Sequence, residues 1–131
     1  MTQKSILAGG IALAMLATLT RGASAGADDY LFEAVQAEIK TSNVATLAVR
    51  LVNKADRKPV TNATILDMRI EMTEEGHQMT SAIVPVPNKE PGVFAFKAPL
   101  TMEGHWVLSL VARLAGEPEP VHGKIIFHTK R

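Results

Sequence analysis

Four of the six methionines (Met68, Met72, Met79 and Met102) and the four histidines carry the most distinctive chemistry in this sequence. His77 and Met79 are spaced H-x-M, one short turn after Met72. Met102 and His105 are spaced M-x-x-H. The chain has no cysteine, so thioether and imidazole are its only soft or borderline metal donors. That pairing, without thiolate, selects copper, as Cu(I) or Cu(II), above other first-row ions. The candidate ligands are Met72, His77, Met79, Met102 and His105.

Each of these residues also has a plainer role open to it. Met68 fits a core alternation and reads as packing. Met72 ends that alternation and is equally a core residue or a ligand. Met102 reads either as a ligand or as a loop anchor, and His77 as a ligand or a solvated turn residue. His105 is a ligand or a polar shoulder beside Trp106. His122 and His128 are six residues apart on one strand face, about 20 Å at ~3.3 Å per residue. One ion cannot bridge them, and they read as surface residues.

Other chemistries are poorly represented. Without Cys there are no disulfides, thiolate zinc sites, iron–sulfur clusters or thiol catalysis. No G-x-S-x-G, P-loop, G-x-G-x-x-G or H-E-x-x-H occurs. No serine is placed beside a histidine with an orienting acid, so no enzymatic activity is expected. With 14 Lys+Arg against 13 Asp+Glu, the net charge of +1 argues against a nucleic-acid binder.

The elements that would position these residues have period 2. Leu47, Val49 and Leu51 alternate with Ala48 and Arg50. Leu66, Met68, Ile70 and Met72 alternate with Asp67, Arg69 and Glu71. Met79 to Val84 reads as a short strand stopped by Pro85 and Pro87, and Val93 to Lys97 as another. Trp106, Leu108, Leu110, Ala112 and Leu114 share one face of the longest strand. Val121, Gly123, Ile125 and Phe127 share one face of the last. Only Phe32 to Ile39 is ambiguous, between a helical turn and an irregular first strand. Polar turns separate the strands at 53–59, 73–76, 88–92 and 116–118. About seven short strands in ~105 residues is the pattern of an antiparallel β-sandwich, whose loops gather at two ends. The turns around Met72–Met79 and Met102–His105 are therefore candidates to meet at one end.

The first 25 residues read differently. Lys4 is followed by an apolar run from Ile6 to Leu19, too short to span a ~30 Å hydrocarbon core comfortably. Arg21 closes the run, and Ala23-Ser24-Ala25 is a small-x-small cleavage pattern. Residues 1–25 are expected to be a secretory signal peptide and 26–131 the folded domain. Losing Lys4 and Arg21 takes the 14 basic residues to 12 against 13 acidic, a net charge of −1. The expected destination is the periplasm, where a Cys-free domain has no thiol to mispair.

Several short motifs occur in a telling order. Lys58-Pro59-Val60 leads into an alternating strand, and a Met- and His-containing turn (Met72 to Met79) follows. Then come Pro91-Gly92-Val93-Phe94 and the block from Met102 to Leu110, with Met102, Gly104 and Trp106 its most specific part. This order resembles the YtkA-like domain family, associated with FixH-type accessory proteins, over about residues 30–129. The resemblance implies an exported Ig-like or cupredoxin-like sandwich. It also implies a link to copper handling, respiratory-oxidase assembly or metal efflux. The family's Met-Pro-x-His-x-Met turn corresponds to Met72, His77 and Met79, with Thr73-Glu74-Glu75-Gly76 replacing the proline and lengthening the gap.

The expectation is a small periplasmic β-sandwich that binds or passes copper for a membrane efflux or oxidase-assembly complex. It has no nucleic-acid role and no membrane insertion after cleavage. The alternative is a metal-free interaction module, docking through an edge strand or through the outer face carrying Val107, Val111 and Ile126.

Overall fold

The structure, a computed structural model, describes residues 27–72 and 79–131. The expected signal peptide and His77 lie outside the described residues. Among the described residues, nine strands follow a 3-10 turn at Ala27–Asp29: β1 Tyr30–Ala34, β2 Glu38–Lys40, β3 Ser42–Asn53, β4 Ala63–Met72, β5 Met79–Ser81, β6 Val84–Val86, β7 Val93–Leu100, β8 Gly104–Leu114 and β9 Val121–Lys130. They form two sheets, ordered β1-β3-β7-β6 and β2-β9-β8-β4-β5. With β1, β3, β7 and β6 as strands A, B, E and D, and β4, β8 and β9 as C, F and G, this is the Ig-like arrangement. Every pairing is antiparallel except the short parallel one between β2 and β9.

The expected all-β sandwich is therefore present, with more strands than the hydrophobic pattern suggested. The chain changes sheets twice inside segments that read as single units. Phe32 to Ile39 splits into β1 and β2, which pair in different sheets. Met79 to Val84 splits in the same way between β5 and β6. Pro85 sits in β6, at the edge of its sheet, where a missing N–H costs no ladder bond.

The long alternations place their apolar residues inside. Trp106, Leu108, Leu110, Ala112 and Leu114 are all buried, as are Leu47, Val49 and Leu51 opposite them. β4 departs from its pattern. A register shift between Ile65 and Asp67 leaves Leu66 46% exposed, while Ile65 and Met68 pack against the core. The extra residue at a β-bulge turns the side chains before it to the other face, which simple alternation does not foresee.

Gly123 in β9 lies under the Phe32 ring, and a Cβ there would collide with it. Gly123→Ala is expected to destabilise the domain by about 1–3 kcal/mol through overpacking, read as a lower urea midpoint. Phe32→Leu in the same background should recover part of the loss.

Tyr30, the one tyrosine of the chain, donates a hydrogen bond to Glu117 Oε2 at 3.0 Å. Partial burial raises its pKa above 10.0, and the hydrogen bond and charge of Glu117 add to the shift. The folded state therefore holds the phenolic proton more tightly than the unfolded chain does. This contribution is present below pH ~10 and is lost as the phenol ionises at higher pH. Ultraviolet titration should place the tyrosine midpoint above its ordinary value, with Glu117→Gln bringing it down.

Candidate metal centre

The strand registers bring Met72 and Met79 to the same end of the sandwich as His105. Met79 in β5 lies opposite Met72 in β4, Met72 opposite Trp106 in β8, and Trp106 opposite Phe127 in β9. Directly opposed residues share a face, so these four side chains form a row on the inner face. Met72, Trp106 and Phe127 are buried, while Met79, on the edge strand, is 39% exposed.

Met102 lies just before β8 at the same end. Its carbonyl accepts hydrogen bonds from Trp106 Nε1 at 3.2 Å and Thr129 Oγ1 at 2.6 Å. Thr129 also donates to the Gly104 carbonyl at 3.3 Å. Fully buried Thr129 thus satisfies its hydroxyl while fixing the entry to β8. The Met102 side chain stays partly outside. Ser81 Oγ donates to the Pro99 carbonyl at 2.6 Å, tying β5 of one sheet to β7 of the other. Met79 lies two residues before that bond and Met102 three residues after it.

Four of the five candidate ligands are among the described residues, and they fall on two faces of the sheet. Met72 lies opposite Trp106, Met79 opposite Met72, and the Met102 carbonyl accepts from the Trp106 indole, which places the three methionines at one end of the sandwich. His105 does not join them, because successive strand residues point to opposite faces: Trp106 points inward and His105 outward. His77 lies outside the described residues, in the connection between Met72 and Met79. Met72 is a core side chain as well as a member of the cluster, with 1% of its surface exposed. No group of three His, Cys, Asp or Glu side chains able to hold a metal occurs among the described residues. On the inner face at this end, then, the donors described are thioethers, with Met79 and Met102 partly exposed and Met72 buried.

A cleft of about 480 Å³ opens at the other end of the sandwich, lined by Val60, Ile65, Pro85, Val86 and Phe94 among others. It has no methionine or histidine in its wall and offers no soft donor.

The sequence matches the YtkA-like family over residues 24–111, two thirds of the chain. The chain belongs to the YtkA-like family. The matched stretch contains every candidate ligand and ends within β8, before β9 begins. No curated protein matches this YtkA-like chain in sequence. Among solved structures, it is similar to the Lin-41 filamin domain, with 16% identity and a TM-score of 0.44 over 79% of this chain and 93% of that one. It is also similar to the ZirS C-terminal domain, with 12% identity and a TM-score of 0.46 over 100% of this chain and 88% of that one.

Sequence reasoning missed one neighbour. His128, read as a surface residue for its distance from His122, lies directly opposite His105. The two rings stack, with centroids 4.7 Å apart and planes 14° apart. The signal that would have revealed this pair is the β8–β9 register.

Proposed function

We propose that this YtkA-like protein is an exported, non-enzymatic carrier of Cu(I), serving a membrane metal-efflux or oxidase-assembly complex. One observation carries the reading: Met79 and Met72 pair beside Trp106, and Met102 sits at the same end with its carbonyl bonded to the Trp106 indole. Thioethers are soft donors matched to Cu(I), and an oxidising compartment leaves them usable where thiolates would be consumed. Met79 and Met102 supply the accessible sulfurs. His77, two residues before Met79 in the chain, is the candidate imidazole. Export rests on the signal-like composition of residues 1–25. Among the described residues no helix is long and apolar enough to cross a membrane.

The test is a competition titration of the purified protein against a chromophoric Cu(I) chelator. One equivalent held at sub-nanomolar affinity is the expected result. Absence of binding beyond weak surface association would reject the reading.

A metal-free docking role has one specific observation in its favour. Val107 and Ile126 lie opposite each other on the outer face of the five-stranded sheet, with Ile126 57% exposed. Partner capture indifferent to copper and abolished by Val111→Glu would favour that role over copper carriage.

A further inference from the structure

The outer face of the five-stranded sheet carries a row that the methionine end does not use. Glu38 in β2 lies opposite His128 in β9, and His128 opposite His105 in β8. The His128 N–H donates to the Ala37 carbonyl at 2.8 Å, on the β2 side. In a strand, the N–H and C=O of one residue point to the same side. His105 and His128 are therefore a non-hydrogen-bonded pair, the position where opposed side chains come closest.

Three features fit this row to chelation. First, both rings reach the surface from directly opposed positions and lie stacked, with centroids 4.7 Å apart. Imidazole lone pairs lie in the ring plane, so chelation requires the rings to turn out of the stack, and metal–nitrogen bonds of about 2.0–2.1 Å then hold the two nitrogens within ~4 Å of each other on one ion. Second, Glu38 Oε2 lies 3.8 Å from His128 Nδ1, within ion-pair reach. That carboxylate stands on the Nδ1 side of the ring, leaving Nε2 as the candidate donor. Third, Lys130 Nζ, 3.2 Å from the same Glu38 oxygen, holds the carboxylate in place behind the ring.

We propose that His105 and His128 form a two-imidazole site for a borderline divalent cation, Cu(II) ahead of Ni(II) and Zn(II), with Glu38 orienting His128 from behind. The order of preference follows the general affinity order for nitrogen sites. The site is separate from the methionine end, because it lies on the other face of β8. It also depends on a residue beyond the stretch that matches the family, which ends at residue 111. Water or an anion completes the coordination, since no third side chain joins the two imidazoles in ligand position.

The experiment is a Cu(II) titration of the purified protein followed by electron paramagnetic resonance. The expected spectrum is one ion with coupling to two imidazole nitrogens. His105→Gln and His128→Gln should each weaken binding by about 100-fold, and Glu38→Gln by about 10-fold. All three side chains lie at the surface, so the variants should keep the wild-type urea midpoint. Met79→Leu/Met102→Leu should leave the Cu(II) spectrum unchanged. A spectrum indifferent to His128→Gln, or one lost in the methionine variant, would overturn the assignment.

Discussion

Trp106→Ala is expected to cost the domain about 3–5 kcal/mol, the range for emptying a fully buried aromatic site. Trp106 is 1% exposed and sits between Met72 and Phe127 in the inner-face row. Its indole also donates to the Met102 carbonyl, which would be left with the Thr129 hydroxyl alone. Whole domains are stable by only about 5–15 kcal/mol, so one substitution removes a large share. At an m-value of about 2 kcal/mol/M in urea, the midpoint should fall by about 2 M. Trp106 is the only tryptophan, so the variant must be followed by far-ultraviolet circular dichroism. Trp106→Phe should lose less, because it keeps most of the buried area and gives up the hydrogen bond. A Trp106→Ala midpoint close to wild type would mean that this end is not the packed core described.

The second large effect is on copper. Met79→Leu/Met102→Leu should lower Cu(I) affinity by at least about 100-fold, equivalent to about 2.8 kcal/mol, in the same chelator competition. Leucine nearly conserves methionine's volume and removes only the sulfur. Both residues are more than a third exposed, so the urea midpoint should stay within about 0.5 kcal/mol of wild type. Met72→Leu separates the remaining possibilities. Its side chain is buried, and a volume-conserving swap there should cost less than about 1.5 kcal/mol. A further drop in Cu(I) affinity would make Met72 a third sulfur ligand, and no drop would leave it as packing. Unchanged affinity in the double variant would remove the proposed site.

The sandwich itself was legible in the chain. Period-2 alternation at Leu47–Leu51, Trp106–Leu114 and Val121–Phe127 commits one face of each strand to burial. Turn residues between the strands limit their length. Strands of that kind can bury their faces only by stacking two sheets, so fold class follows from local pattern. The available donor types were legible for the same reason: absence of cysteine and presence of methionine and histidine are compositional facts.

What composition and periodicity left open is which strands lie side by side. Strand pairing is a long-range choice made by the whole core, and neighbours in a sheet are often distant in sequence. The bulge at Leu66, the sheet changes after β1 and β5, and the partnership of His105 with His128 all depend on it. So does the division of the candidate ligands, because β8 turns Trp106 to the core and His105 to the outside. The sequence alone determined that the chain is an all-β domain whose soft donors are methionine and histidine. Only the tertiary register decided that Met79, Met72 and Trp106 fall in one inner row while His105 and His128 meet on the opposite face.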